Sequence, residues 1–135
     1  MTVQAKRFEY AVGIDRAGRM SAEGGALLEP ARAWTADHLL LAALARCSIE
    51  SLRYHAGNAG IDLVAAATAE GAVTRRESDG RYAFVEIRCS IEVELEPEPD
   101  DLAALLARAE RDCFVGASLT VKPEYRWRVV GAGAG

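Results

Sequence analysis

The chain lacks the long apolar runs that would place it in a membrane. Half of its 135 residues are hydrophobic, yet no apolar run approaches the roughly 20 residues that a membrane-spanning helix needs. The first residues, MTVQAKRFEYAVGIDR, contain no apolar segment of the kind found in a secretory leader. We therefore expect a cytoplasmic protein with no membrane partner, in a compartment where thiols are kept reduced.

An excess of basic residues is also missing. The chain has 16 Lys and Arg against 20 Asp and Glu, which gives a formal net charge of −4. A nucleic-acid partner is not expected, because such proteins present clustered positive charge. The length suits one domain of about 100–150 residues. Because no linker or repeat interrupts the chain, we expect a single domain over residues 1–135.

Short motifs for cofactors and metals are absent from the sequence. It contains no C-x-x-C pair and no G-x-G-x-x-G loop. His38 lies nine residues before Cys47, and His55 lies eight residues after it. Either spacing is about two helical turns, too far for both side chains to bind one ion. We expect neither a metal nor an organic cofactor, while a cysteine hydrolase with an imidazole at Cys47 stays open.

A long helix is predicted over residues 35–58. Thr35 is a suitable N-cap, Asp37 falls in the first turn, and Gly57 and Gly60 are stop signals. Apolar side chains recur with helical spacing, which predicts one core-facing stripe. The stripe contains Leu39, Leu40, Ala43, Leu44 and Cys47.

Strand patterns surround this helix. The N-terminal part is predicted to form a meander, with a strand over residues 3–13 and short strands at 19–21 and 26–29. A long hairpin is predicted from residues 61–77 and 81–97, with its turn at Ser78–Gly80. The apolar face of the second hairpin strand switches near Glu86, which indicates a bulge. Asp100 or Asp101 caps a predicted helix ending near Cys113, and residues 123–130 alternate as a last strand. The order predicts an α+β domain.

The three cysteines have two possible explanations at this point. A free cysteine often packs as a small apolar side chain. This explanation is favoured for Cys89, which lies on the inner face of a predicted strand. For Cys47 and Cys113, which lie on the apolar stripes of two helices, packing and chemistry both remain open.

Several of these pieces together resemble the OsmC/Ohr family of thiol-dependent peroxidases, which detoxify organic hydroperoxides. The run TADHLLLAALARC is similar to the family's P-E-x-L-L-x-A-A-x-x-x-C helix, and it is followed by GIDL. The hairpin, the helix end RAERDC and the closing strand follow in the family's order. The resemblance implies an OsmC-like fold, with antiparallel sheets packed around a long central helix in an intertwined homodimer.

The resemblance also implies residue roles. Cys47 matches the peroxidatic cysteine, whose thiolate attacks the peroxide and becomes a sulfenic acid. Cys113 matches the resolving cysteine, which forms a disulfide with it, and a dithiol reductant then restores both thiols. The family's activating arginine matches Arg16 in the pattern R-x-G-R, with Arg19 as second choice. The family's glutamate that holds this arginine matches Asp37.

Two positions depart from the family pattern. Asp37 is one methylene shorter than glutamate, and Phe114 stands where proline commonly follows the second cysteine. We expect Phe114 to line an apolar peroxide pocket and Glu50 to point away from the Cys47 sulfur. The alternative hypothesis is a non-enzymatic OsmC-like dimer that binds a small apolar ligand. The choice between the Ohr-like and OsmC-like branches stays open.

Overall fold

The computed structural model describes residues 5–17, 19–29 and 33–131. The chain divides into two compact units, one ending at Thr35 and the other beginning at Ala36. The expectation of a single domain over residues 1–135 stays a prediction.

The N-terminal unit contains a small antiparallel sheet. Its strands are β1 (Val12–Ile14), β2 (Met20–Ala22) and β3 (Leu27–Leu28), in the order β1-β2-β3, with a 3₁₀ turn at Glu23–Gly25. The predicted strand over 3–13 is wrong for residues 5–11, and residues 3 and 4 lie outside the described part. Within the described part of the chain, β1 pairs with β2 alone, at three positions. The Ala11 amide donates instead to the Glu23 carboxylate at 2.7 Å.

The C-terminal unit combines three helices with a second sheet. Its elements are α1 (Ala36–Asn58), β4 (Asp62–Arg75), β5 (Tyr82–Glu96), α2 (Leu102–Arg111), α3 (Phe114–Ser118) and β6 (Glu124–Gly131). The sheet order is β4-β5-β6, with β4 and β5 antiparallel. The α+β class is therefore confirmed. One pairing differs from the expected antiparallel sheets: β6 runs parallel to β5, because α2 and α3 form a crossover before it.

The predicted bulge lies in the long hairpin. Ala72 pairs with Glu86 and Val73 pairs with Phe84, so Val85 is the extra residue of β5. An extra residue reverses the face on which the following side chains lie. The change of apolar face near Glu86 is thereby confirmed and explained.

A Schellman motif ends α1. The Ile61 amide donates to the Ala56 carbonyl at 2.8 Å, and the Gly60 amide donates to the Gly57 carbonyl at 3.0 Å. Gly60 has a φ of +73°, the left-handed conformation that this motif requires. Ile61 and Ala56 also pack in the same core cluster. Of the two predicted stop signals, Gly60 is the one that ends the helix.

The ends of α2 lead directly to the second helical cysteine. Asp101, one of the two predicted caps, accepts a hydrogen bond from the Ala104 amide at 3.0 Å. At the other end the Asp112 amide donates to the Arg108 carbonyl at 3.0 Å. Cys113 follows with an extended backbone and precedes α3. The cysteine thus lies at the junction between two helices.

The buried stripe of α1 differs from the predicted one. Ala43 is exposed and Cys47 only partly buried. The row that is buried advances four residues at a time and contains Leu44, Ser48, Leu52 and Ala56. The sequence pattern missed it because it counted apolar residues and one member is a serine. No helix among the described residues is long and apolar enough to span a membrane.

We predict that Gly60→Ala lowers the free energy of unfolding by about 1 kcal/mol, because a left-handed backbone is strained by a Cβ atom. The matched control is Gly57→Ala. Both sites have open space around the added Cβ, but the φ of Gly57 lies outside the positive range. A helical alanine there should raise stability by up to about 1 kcal/mol. Urea denaturation of both variants measures the difference, and changes of the same sign would contradict the prediction.

Candidate active site

Three cysteines converge in the C-terminal unit. Cys47 comes from α1, Cys89 from β5 and Cys113 from the α2–α3 junction, and all three are free thiols in one hydrophobic cluster. We call these three residues the thiol cluster. Cys89 and Cys113 are both 0% exposed, whereas Cys47 is partly exposed. A molecule arriving from solvent therefore meets Cys47 first.

The Cys47 sulfur lies beside the Cys113 thiol and the first amides of α3. Burial raises the pKa of Cys47, and the neighbouring Cys113 thiol raises it further. Hydrogen bonds from the backbone amides of Val115 and Phe114 act in the opposite direction. The net result is a raised pKa, which favours the thiol form of Cys47.

Ser48 joins the two buried thiols. Its hydroxyl donates to the Leu44 carbonyl at 2.8 Å, and its oxygen lies 3.6 Å from the Cys113 sulfur. The Cys89 thiol donates to the same oxygen, also at 3.6 Å. Burial raises the pKa of Cys89, and this outweighs the lowering effect of the neighbouring Ser48 hydroxyl. Ser48 is thus the polar centre of an otherwise apolar cluster.

Tyr125 of β6 brings a second hydroxyl to Cys113. Burial raises the pKa of Tyr125, and the hydrogen-bonded Cys113 thiol raises it further. The Tyr125 hydroxyl also lies over Gly116, where an added Cβ would be 2.1 Å from the phenolic oxygen and 3.5 Å from the Cys113 sulfur. Only glycine at position 116 leaves room for this contact.

Polar contacts fix the end of α2 on α1. Ser51 donates from its hydroxyl to the Ala109 carbonyl at 2.7 Å, and His55 Nε2 lies 2.7 Å from Asp112 Oδ2. Arg111 and then His55 lower the pKa of Asp112 to about 2. Because this pKa is depressed on folding, the carboxylate stabilises the fold above its ordinary value near 4. That contribution is lost as the pH falls towards 2.

Neither histidine lies at the Cys47 sulfur. His55 is held by Asp112. His38 lies nine residues before Cys47 on the same helix, which corresponds to about 13 Å along the axis. The groups that act on the Cys47 sulfur are a thiol and two amides, so the hydrolase hypothesis has no support in the described residues. In that same part of the chain, no group of three metal-binding side chains is arranged to hold an ion.

The predicted activating residues lie apart along the chain. Arg16 is exposed on the turn between β1 and β2 of the N-terminal unit. Arg19, on the same turn, is paired with Asp15 at 3.1 Å. Asp37 is exposed in the first turn of α1, about 15 Å along the axis from Cys47. The approach of Arg16 to Cys47 joins the two units and stays a prediction, as does the role of Asp37.

Two further expectations concern side chains near the sulfur. Glu50 pairs with Arg46 at 2.9 Å on the exposed side of α1, so the expectation that it points away from Cys47 is confirmed. Phe114 donates its amide to Cys47 while its side chain is 68% exposed. The ring is therefore exposed to solvent, and its place in an apolar peroxide pocket stays a prediction.

Sequence patterns did not identify Ser48, Tyr125 or Gly116 as members of the site. Ser48 lies in the buried row of α1 that faces β5. The apolar pattern of the sequence does not identify this row, so it does not identify Ser48 either. Tyr125 lies in the run 123–130 that predicts the last strand, but no pattern indicates that it would meet Cys113. The predicted inner-face position of Cys89 is confirmed by its burial, while its packing role stays a prediction.

Solved structures with the same fold include several OsmC and Ohr proteins. An OsmC-like protein from Mycoplasma pneumoniae has a TM-score of 0.65 at 14% identity, covering 96% of this chain and 99% of its own. The organic hydroperoxide resistance protein OhrB of Bacillus subtilis has a TM-score of 0.54 at 19% identity, covering 90% and 96%. An OsmC-like protein of unknown function from Vibrio cholerae has a TM-score of 0.69 at 13% identity, covering 92% and 100%.

These identities are low enough that the likeness establishes the fold alone. No match was found among curated proteins. The family model described as OsmC-like protein matches residues 29–127, which include α1 with Cys47, β5 with Cys89, the α2–α3 junction with Cys113 and the first half of the final strand up to Trp127. The chain therefore belongs to the OsmC-like protein family.

Proposed function

We propose that this chain is a cysteine-based peroxidase that reduces organic hydroperoxides to alcohols. The observation that carries the proposal is the contact between Cys47 and Cys113. The two thiols are 66 positions apart in sequence, lie side by side, and differ in access, since Cys47 is partly exposed and Cys113 is buried. An accessible nucleophile beside a protected second thiol is the arrangement that a two-cysteine peroxidase needs.

The proposed cycle begins with the Cys47 thiolate. It attacks one oxygen of the hydroperoxide, the O–O bond breaks, and the alcohol leaves with a proton as Cys47 becomes a sulfenic acid. The Cys113 sulfur then attacks the Cys47 sulfur, which releases water and forms a disulfide. A dithiol reductant exchanges with that disulfide and restores both thiols. A cytoplasmic location, where reductants are plentiful, is part of the proposal.

The thiolate needs a positive charge from outside the C-terminal unit, because burial raises the pKa of Cys47 there. Arg16 is the proposed source. Arg19 is less suited, since its guanidinium is already paired with Asp15. Asp37 is proposed to hold Arg16 by a charge-assisted hydrogen bond, which fixes the guanidinium towards the sulfur and the peroxide.

An organic hydroperoxide suits the surroundings of the thiol better than hydrogen peroxide. Three apolar side chains pack in the same cluster as Cys47, those of Leu40, Leu41 and Val115. Phe114, whose amide donates a hydrogen bond to the Cys47 sulfur, adds an exposed aromatic ring. An apolar substituent on the substrate would bury this surface, which hydrogen peroxide cannot do.

A homodimer is also proposed. Large apolar side chains of the N-terminal unit are exposed, and a monomer in water rarely leaves so much apolar surface uncovered. The exposed side chains are those of Phe8, Tyr10, Val12, Ile14, Leu27 and Leu28. A second copy of the chain is the partner that the family resemblance implies.

A second candidate function is supported by the raised pKa of Cys47. If no cation reaches the sulfur, the chain is a non-enzymatic OsmC-like dimer that binds a small apolar ligand beside Phe114. The departures at Asp37 and Phe114 are consistent with that alternative.

The first test measures consumption of cumene hydroperoxide with dithiothreitol as reductant. We expect the wild type to consume it steadily and Cys47→Ser to lose at least 99% of the rate, because the nucleophile is gone. In a separate reaction without dithiothreitol, Cys113→Ser should complete one turnover and accumulate the sulfenic acid. The matched control is Cys89→Ala, which removes a buried thiol with no assigned step and should keep the rate within about twofold. Full activity of Cys47→Ser would refute the mechanism.

The second test measures the pH dependence of Cys47 alkylation by iodoacetamide in the Cys113→Ser, Cys89→Ala background. A cation stabilises the thiolate, so Arg16→Ala should move the alkylation profile to higher pH by about one unit. One unit corresponds to a tenfold loss of thiolate at neutral pH. The control is Arg46→Ala, an exposed arginine of α1 that pairs with Glu50 and should leave the profile unchanged. Identical profiles for wild type and Arg16→Ala would remove Arg16 from the mechanism.

A further inference from the structure

Ser48 contacts Cys113, the thiol that loses its proton in the proposed disulfide step. The hydroxyl has one proton, and that proton goes to the Leu44 carbonyl at 2.8 Å. The Ser48 oxygen therefore faces the Cys113 sulfur, 3.6 Å away, as an acceptor. Cys113 in its thiol form is thus held by a hydrogen bond that it donates to Ser48.

The Ser48 hydroxyl can reverse this role at little cost. Leu44 and Ser48 are four residues apart within α1, so the Leu44 carbonyl also belongs to the helical ladder. Its main-chain partner remains when the hydroxyl rotates away. Ser48 can then donate its proton towards Cys113 instead of accepting one.

Tyr125 offers a second hydroxyl to the same sulfur. The raised pKa of its phenol keeps it protonated, and its oxygen shares with the Cys113 sulfur the space above Gly116. The phenolic O–H is therefore a second donor at the thiol, and it comes from β6. Together the two hydroxyls come from α1 and β6 and meet at the junction of α2 and α3.

We propose that Ser48 and Tyr125 are positioning residues for disulfide formation. They hold the Cys113 sulfur towards Cys47 and donate hydrogen bonds to it as it becomes a thiolate. The inference rests on the proposed function, which assigns Cys113 as the resolving thiol. It adds the groups that make a fully buried thiol able to react.

The need for such groups follows from burial. Cys113 is 0% exposed, and an unpaired buried charge is strongly disfavoured. The groups that the structure places at its sulfur are the Cys47 thiol and the hydroxyls of Ser48 and Tyr125. Hydrogen bonds to a charged atom are about twice as strong as neutral ones, so both hydroxyls stabilise the thiolate more than the thiol.

The step can be isolated from peroxide chemistry with 5,5′-dithiobis(2-nitrobenzoate). The Cys47 thiolate displaces one thionitrobenzoate and forms a mixed disulfide. The Cys113 sulfur then attacks the Cys47 sulfur, its proton leaves to solvent, and the second thionitrobenzoate departs as the Cys47–Cys113 disulfide forms. Absorbance at 412 nm follows both releases, and mass spectrometry identifies the disulfide.

We expect Ser48→Ala and Tyr125→Phe each to slow the second release at least tenfold and to leave the first within about twofold. Ser48→Thr, which restores the hydroxyl, should recover most of the rate. The matched control is Ser90→Ala, which removes a partly buried hydroxyl on the face of β5 opposite to Cys89. Its two release rates should match those of the wild type.

The inference is overturned if the second release is unchanged in both variants, if both releases slow equally, or if the product disulfide contains Cys89. It is also overturned if the wild type shows no second release. Thermal denaturation confirms folding, and Tyr125→Phe carries the test alone if Ser48→Ala unfolds. A slowed second release in a protein that fails to consume hydroperoxide would support the inference and refute the proposed function.

Discussion

The site depends on how two neighbouring rows of α1 side chains pack. The first row is buried towards the sheet and the hydrophobic core, and it contains Leu44, Ser48, Leu52 and Ala56. The adjacent row contacts the junction through Cys47, Ser51 and His55. Because the two rows share one helix, the core that holds α1 on β5 also sets where Cys47 meets Cys113. Small shifts of α2 are opposed by the Ser51 hydrogen bond, worth about 1 kcal/mol, and by the His55–Asp112 pair.

The electrostatics of the C-terminal unit favour thiols over thiolates. Burial raises the pKa of both Cys47 and Cys89, and the first amides of α3 offset this only in part. Under the proposed function, reactivity is therefore conditional on a charge that another part of the chain supplies. Such a division protects the cysteines from adventitious oxidation, since neutral thiols react slowly. It also explains why no residue adjacent to Cys47 in sequence could be identified as its activator.

Local periodicity predicted most of the C-terminal unit, and non-local contacts set its limits. α1, the β4–β5 hairpin with its bulge, α2 and β6 follow from residue spacing, because each buries one face. The strand predicted over 3–13 is wrong for residues 5–11, because the partner strand seen among the described residues, β2, pairs only with residues 12–14. The parallel pairing of β6 has no signature in its own eight residues. That Cys47 and Cys113 would be neighbours came from family resemblance, and no pattern places Ser48 or Tyr125 beside them.

The position of each buried thiol in the fold explains why Cys113, and not Cys89, suits the resolving role. Both sulfurs lie 3.6 Å from the Ser48 oxygen, so the contact with Ser48 does not distinguish them. Cys89, however, lies in the central strand and is paired with Ala69 on one side and Tyr125 on the other. Cys113 is the extended residue between two helices. Formation of a disulfide draws two sulfurs from van der Waals contact to about 2.05 Å. Rotation at the junction can provide that movement, whereas moving Cys89 would break hydrogen bonds on both sides of its strand.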